Sequence, residues 1–549
     1  MQPTRRQFLR AGAPIAAAAI FVPDALASGV TARQSAVLRG GKFSDGIVSG
    51  EPLTNGITLW TRVDGVEKAG TVLLEVSTDK DFRKLVATKK IATSAAKNHT
   101  VKASVKGLKA HEQYYYRFAT GTEDSRVGRF RTALPADSNE PVRFAFFSCA
   151  DYTHGWYNAY ERMATEDVDF VVCLGDYIYD ESYNTKAGGT GVRDDKTGAP
   201  PPGTVIDGTT GKPILLMAQT LAHYRDKYSL YRSDASLRKM HERFPIVMLW
   251  DDHEVQNNYV GGAGNDGGLP AAEGFTRKRQ AAAYKAFFES MPISPKGTSR
   301  IYRTERYGKN VELFVMDQRQ YRADQPCDDA VAPACADWDQ PRDFLGRSQM
   351  DWLKGSLSKS TANWKIMANE LTMMPTKVLG DSFFGFDSWQ GYPREREELL
   401  QHIKTAGIKD VVFVTGDIHT FITGDVRTDM GKGESVAVEF VGGSITSVGL
   451  GELTLDAGGG VKIQGNDANP HTDPALIAEL RNINPWVDQA DFDHHGYGVV
   501  EARSDGLDCN LVRMDTIKKK TTKIVPGDGL KYSLKRGQTS VKGQRGPAA

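Results

Sequence analysis

Six short apolar runs recur through the middle of the chain, and each ends on polar or acidic residues: RFAFFSC, DFVVCLGD, FPIVMLWDD, VELFVMDQ, WKIMANE and KDVVFVTGD. Runs this short and this continuously apolar fit strands buried on both faces rather than amphipathic helices. Between several of them lie segments with helical periodicity, namely GWYNAYERMATE, LMAQTLAHYRDKYSLYR and RKRQAAAYKAFFESM. The alternation predicts an α/β fold, a layered β-sandwich core flanked by helices. In such sheets ligands bind beyond the carboxyl ends of the strands, and there this chain gathers its Cys, Asp, Glu and His residues.

Residues 40–133 read differently. GITLWTRV, GTVLLEVST, HTVKASVKGL and EQYYYRFAT are strand patterns separated by turn signals every eight to twelve residues, which predicts an all-β, fibronectin type III-like domain. Leu108, six residues before Tyr114, has the spacing of a tyrosine corner. The polar stretch ALPADSNEP then reads as a linker into a catalytic domain over 141–527. Residues 184–212, rich in Gly, Pro and Thr, predict a long surface loop placed to act as a lid. Residues 528–549, basic and Gly-containing, predict a flexible tail.

The first 27 residues, MQPTRRQFLRAGAPIAAAAIFVPDALA, carry paired arginines (Arg5, Arg6), a short Ala-rich apolar run and Ala25-Leu26-Ala27 before Ser28. That is the pattern of a twin-arginine signal peptide. Its apolar run is too short to span a bilayer, and no later segment predicts a transmembrane helix. The expected location is periplasmic or extracellular, reached through the twin-arginine export machinery, which passes cargo already folded. A formal charge of +1, with no basic stripe, argues against specific nucleic-acid binding. Cys327 and Cys335 bracket a short loop and predict a local disulfide in an oxidising compartment. Cys173 and Cys509 read as buried structural thiols, which leaves Cys149 unexplained.

Four strand-end motifs carry the chemistry: Cys149; Gly175-Asp176 with Tyr177, Tyr179 and Asp180; Asp251-Asp252-His253-Glu254 with Asn257 and Asn258; and Gly416-Asp417-Ile418-His419. Carboxylates crowded at one end of a sheet repel, and burying them is costly without counter-charge. Few Lys or Arg lie inside the motifs, so metal cations are the expected counter-charges. Thiolate and phenolate suit ferric iron, while carboxylate and amide oxygens suit calcium.

In order and spacing these motifs resemble the calcineurin-like metallophosphoesterases, whose pattern runs Asp-x-His, Gly-Asp-x-x-Asp, Gly-Asn-His-Glu and Gly-His-x-His. The chain departs from it: Cys149 stands for the first Asp, Asp251-Asp252-His253-Glu254 replaces Gly-Asn-His-Glu, and Gly416-Asp417-Ile418-His419 replaces Gly-His-x-His. Together with SGEPLTNGITLWTR (Ser49 to Arg62) these changes are similar to the PhoD-like alkaline phosphatases and phosphodiesterases. The resemblance implies a phosphate mono- or diester hydrolase that works through a metal-activated hydroxide, with Fe(3+) and Ca(2+) in one site. It implies metal ligands at Cys149, Asp176, Asp252, Asn258, Asp417 and His419. Tyr224 best matches the family's iron-binding tyrosine, with Tyr179 the local alternative and Asp251 the alternative to Asp252. His253 stands where the parent family keeps a histidine that contacts phosphate or protonates the leaving group; orienting Asp252 is its other reading. Asn369 and Glu370 remain open between ligand and structural roles, and His494-His495 reads as a structural pair. Two other functions stay open: a phospholipase D-type hydrolase on the same scaffold, and a non-catalytic calcium-binding module for a surface polymer.

Overall fold

The computed structural model describes residues 37–183, 191–201, 204–206, 208, 211–261, 276–293, 299–455, 461–463, 474–526 and 530–543. The expected signal peptide (1–27) and parts of the expected lid and tail lie outside the described residues.

All six apolar runs form strands, divided between two sheets. In the nine-stranded sheet, Val142–Phe147, Phe170–Leu174 and Ile246–Leu249 lie side by side and parallel. In the seven-stranded sheet the parallel core is Val311–Val315, Trp364–Asn369, Val411–Thr415 and Ser435–Gly442. The two sheets stack face to face, and the period-two alternation of their strands divides the core. Val311, Leu313, Val315, Ile366 and Val414 pack toward Phe144, Phe146 and Val171 of the other sheet. Their neighbours Phe314, Met367 and Phe413 face outward and are covered by Leu353, Leu357 and Leu399 of the helices Arg347–Lys359 and Pro393–Thr405. Helices Leu221–Arg232, Ala235–Arg243 and Arg277–Ser290 cover the nine-stranded sheet. Because the parallel strands are apolar on both faces, the charged residues are displaced to the strand ends.

The N-terminal strands form a β-sandwich, but it is not separate from the rest. Its four-stranded sheet (Leu85–Thr93, Gly70–Ser77, Gln113–Ala119, Gly128–Arg131) packs through Val72, Leu74, Tyr116 and Phe130 onto Ile47, Leu59 and Val101. Those last three belong to strands Ile47–Leu53, Gly56–Arg62 and Thr100–Lys106, which continue the nine-stranded sheet. The junction is a parallel pairing of Gly50 with Ile246, where a Cβ on Gly50 would lie 2.8 Å from the Ile246 carbonyl oxygen. At the expected corner, the Lys109 N–H donates to the Tyr114 hydroxyl at 2.9 Å.

Of the expected flexible tail, residues 530–543 are described, and they pack against the fold. Leu530–Lys535 pairs antiparallel with Gly506–Met514 as the far edge of the nine-stranded sheet. Farther on, Ser540 and the Val541 N–H both bond to the Asp425 carboxylate. The basic composition concealed an alternating segment, LKYSLK, whose Tyr532 and Leu534 are buried.

Candidate metal centre

Each parallel strand leaves its sheet through a sharp turn, and the turns bend the candidate residues toward one another. Cys149, Asp176, Asn258, Asp417 and His419 all adopt positive φ, at 59°, 52°, 51°, 64° and 57°. Such conformations are unfavourable for residues other than glycine and cluster where surrounding structure enforces them. Glycine precedes two of these aspartates for steric reasons. A Cβ on Gly175 (φ 102°) would meet the Asp251 Cβ at 2.3 Å, and one on Gly416 would meet Ser148 at 2.7 Å. Glu254, buried behind these turns, fixes their register: its carboxylate accepts the N–H groups of Asp176 (3.0 Å), Tyr177 (2.7 Å) and Asp251 (2.8 Å).

Three overlapping groups of potential ligand atoms result, each with its atoms within 4.8 Å of one another. The first is Cys149, Asp176 and His419. Tyr179 completes it, its hydroxyl 3.1 Å from Asp176 Oδ2 and 3.0 Å from His419 Nε2 while accepting from Ser447 Oγ at 2.6 Å. His419 Nδ1 lies 2.8 Å from the Val448 carbonyl, so that nitrogen donates and Nε2 turns its lone pair to the cluster. Burial holds His419 neutral, with its pKa lowered to about 4. A single phenolic proton thus faces two acceptors, a carboxylate and an imidazole. Burial, followed by the Asp176 carboxylate, pushes the Cys149 thiol well above its usual value. A metal cation fits this donor set, since it takes all of these lone pairs and draws off the thiol and phenol protons.

The second group, Asp176, Asp252 and His253, shares Asp176 with the first. Behind His253, Nδ1 meets Asp180 Oδ1 at 2.9 Å, and Asp180 Oδ2 accepts from Arg279 Nη2 at 2.7 Å. This carboxylate orients the ring with Nε2 toward the cluster. The His253 ring also stacks on Tyr179, with centroids 4.0 Å apart. Burial opposes charge on His253, but Asp252, Asp176 and Asp180 outweigh it and hold its pKa well above the usual value. The third group is Asp251, Asp252 and Asp417. Burial, then Asp251 and Asp387, raise the Asp417 carboxyl.

Several side chains fall outside these groups. Tyr224 lies behind His253: its hydroxyl donates to the Val255 carbonyl and accepts from Arg279 Nε at 3.0 Å. The tyrosine among the candidate ligands is Tyr179, returned to the site by the turn three residues after Asp176. Asn258 lies beside Asp252, whose carboxylate accepts its backbone N–H at 2.7 Å, but its Nδ2 donates to Asp329 at 2.6 Å. Asn369 ties the seven-stranded sheet together, bonding to Trp389 Nε1 (3.1 Å) and Thr415 Oγ1 (2.9 Å). Glu370 accepts from the Gln318 N–H at 3.4 Å. His494 pairs with Asp491 at 2.9 Å, and His495 joins His154 around Glu452 in a separate buried group. Cys173 and Cys509 are buried free thiols, and Cys327 and Cys335 are joined.

The motif reading also missed a cation. Arg319, fully buried in the turn after Val311–Val315, pairs with Asp251 and with Asp387 at 2.8 Å. Arg322 pairs with Asp387 as well. Part of the counter-charge is therefore arginine from outside the four motifs.

Comparison with known proteins agrees with this architecture. The sequence pattern of the PhoD-like phosphatases matches residues 144–511, and that of the PhoD-like phosphatase N-terminal domain matches residues 29–134. Alkaline phosphatase D of Bacillus subtilis (strain 168) is 37% identical over 428 residues, covering 74% of this chain and 70% of its own length. A solved structure described as "Structure of PhoD" superposes with a TM-score of 0.77 at 31% identity, over 92% of both chains. Purple acid phosphatase PPD1 from yellow lupin (Lupinus luteus) seeds matches with a TM-score of 0.52 at 11% identity, over 89% of this chain and 74% of its own, a likeness of fold.

Proposed function

The chain belongs to the PhoD-like phosphatase family, and on that premise we propose that it is an exported, metal-dependent phosphoesterase acting at the cluster around Asp176. Phosphate mono- and diesters are the substrate class. Cys149, Asp176, Tyr179 and His419 would hold Fe(3+), because thiolate, phenolate and imidazole are the donors ferric iron favours. Asp252, with Asp176 and Asp417, would hold Ca(2+) through carboxylate oxygens. Bound cations would supply Lewis acidity toward the phosphoryl oxygens and water acidified to hydroxide.

The chain's own residues do the rest. Asp176, common to two ligand groups, would be shared by the ions those groups hold. His253, oriented by Asp180, presents Nε2 on the same side as Asp252 and gives a proton to the departing alkoxide. Tyr179 supports that ring from below by stacking. The paired arginines of the first 27 residues support export by the twin-arginine route; among the described residues no helix is long and apolar enough to cross a membrane.

The observation that carries this reading is the double membership of Asp176. It is tested by elemental analysis of the natively exported protein alongside turnover of bis-p-nitrophenyl phosphate. Iron near one equivalent per chain, and loss of both iron and turnover in Asp176→Asn, are expected. Turnover by protein that holds no metal overturns the proposal. So does bound calcium without turnover, the signature of a binding module.

A further inference from the structure

The buried group of His154, Glu452 and His495 stands apart from the metal centre, yet a single peptide unit joins the two. Both Glu452 oxygens lie 3.1 Å from His154 Nε2, and Oε2 lies 3.3 Å from His495 Nε2. Lys518 Nζ stands 3.5 Å from Oε1. Burial opposes charge on Glu452, but His495 and His154 outweigh it and hold its carboxyl well below the usual range. The same Oε2 accepts the Gly449 N–H at 3.0 Å.

That N–H belongs to the peptide unit whose carbonyl is that of Val448, and this carbonyl accepts the His419 Nδ1–H at 2.8 Å. A trans peptide unit is planar, with its N–H and C=O directed to opposite sides. The Glu452 carboxylate therefore stands on one side of the unit and the His419 ring on the other. The fit leaves no slack: a Cβ on Gly449 would lie 3.2 Å from the carbonyl oxygens of His419 and Phe492. The segment is also tied at both ends. The Glu452 N–H closes a turn onto the Gly449 carbonyl at 3.0 Å, and the N–H groups of Thr446 and Ser447 both donate to the Cys149 carbonyl at 3.2 Å.

Hydrogen bonds in series polarise one another, most strongly where water is absent. Negative charge at the N–H raises the electron density on the Val448 carbonyl. The carbonyl then draws the Nδ1 proton harder, and Nε2 becomes the better electron donor. A carboxylate bonded directly to a ligand histidine acts in this way; here it acts across one peptide unit. We propose that Glu452 is a positioning residue of the metal centre, which through the Val448–Gly449 peptide holds His419 in one tautomer and strengthens Nε2 as a ligand. The inference rests on the metal-dependent reading above and deepens it.

The test uses the full-length, natively exported protein, with visible absorption and the rate of iron loss to EDTA as readouts besides turnover. Glu452→Gln keeps an oxygen for the Gly449 N–H and removes the charge. It is expected to retain the parental iron content as isolated. A weaker imidazole leaves ferric iron more electron-poor, so the phenolate charge-transfer band is expected to move to longer wavelength. Iron loss to EDTA is expected to be at least tenfold faster, with kcat about tenfold lower. Lys518→Gln removes another partner of Glu452 but leaves its bond to Gly449, and is expected to keep the parental band and release rate. Glu452→Gln protein that melts lower yet keeps both has lost only a structural contact, and overturns the proposal. So does an equal shift in the two variants. Should Glu452→Gln fail to fold, Glu452→Asp, which withdraws the charge by one methylene, must show the same changes in smaller measure; a folded Asp variant with parental band and release rate overturns the proposal. A parent without iron overturns the proposed function and this inference with it, whereas an iron-bearing parent with unresponsive variants overturns this inference alone.

Discussion

Replacing Tyr179 by phenylalanine removes one oxygen from the centre and little else, because the ring that stacks on His253 at 4.0 Å remains. That oxygen lies 3.1 Å from Asp176, 3.0 Å from His419 and 2.6 Å from Ser447. Ser447 keeps the Asp151 N–H as a partner, so the cost in stability is about 1 kcal/mol. Its cost in chemistry is larger. Loss of an anionic donor to a buried cation removes several kcal/mol of charge stabilisation, and about 3 kcal/mol corresponds to roughly a hundredfold fall in kcat. Tyr224→Phe is the matched control. It deprives the buried Val255 carbonyl of a donor and Arg279 Nε of an acceptor, a stability loss of roughly 1–3 kcal/mol, without touching a candidate ligand. The assay pairs visible absorption of the natively loaded protein with bis-p-nitrophenyl phosphate turnover and thermal melting. Tyr179→Phe is expected to lose the phenolate charge-transfer band and at least a hundredfold in rate while melting near the parent. Tyr224→Phe is expected to keep the band and melt lower. A Tyr224→Phe protein that loses the band, or a Tyr179→Phe protein that keeps both band and rate, refutes the assignment.

Asp180→Asn leaves the ligands in place but weakens the orienting contact to His253; such outer partners are worth about 10–100-fold in activity or metal affinity, read by kcat and elemental analysis at matched loading. Acidification provides a signed test through His419. Its folded pKa, lowered by burial to about 4, lies below the unfolded value near 6.5, so the unfolded chain binds more protons between them. The stability it contributes is present above pH 6.5 and is lost as pH falls toward 4; urea midpoints of the parent should fall across that window, and those of His419→Asn should fall less. Breaking the Cys327–Cys335 link, which closes a loop with a sequence separation of 8, by replacing both cysteines with serine should lower unfolding free energy by about 2–3 kcal/mol. Reductant added to the parent should reproduce the shift, and to the variant should do nothing.

The layered core was legible because its strands are apolar without interruption, a pattern few other elements produce. The convergence of Cys149, Asp176, Asp252, Asp417 and His419 followed from it, since polar residues excluded from both faces of a buried strand have only its ends to occupy. Tyr179 and Tyr224 were not separable in sequence: both are buried aromatics near a candidate ligand, and the choice depends on a turn at Gly175 that brings position 179 back over the site. Arg319 and Asp387 were invisible for another reason. Arg319 meets Asp251 and Asp387 across 68 residues in either direction, as single side chains without a repeating motif. The last strand could have been recognised from the alternation in LKYSLK, but its lysines and neighbouring glycines resembled a solvated end.

The nine-stranded sheet has a consequence for when this protein can become itself. One border is Thr100–Lys106 and the other is Leu530–Lys535, far apart along the chain. A chain whose synthesis has not passed Lys535 therefore has its strand Gly506–Met514 uncovered on one side, an open backbone edge that invites association with other chains. Completion of the sheet waits for that distant strand, so a protein cut just ahead of Leu530 should be far more prone to aggregate than the loss of a few surface residues suggests.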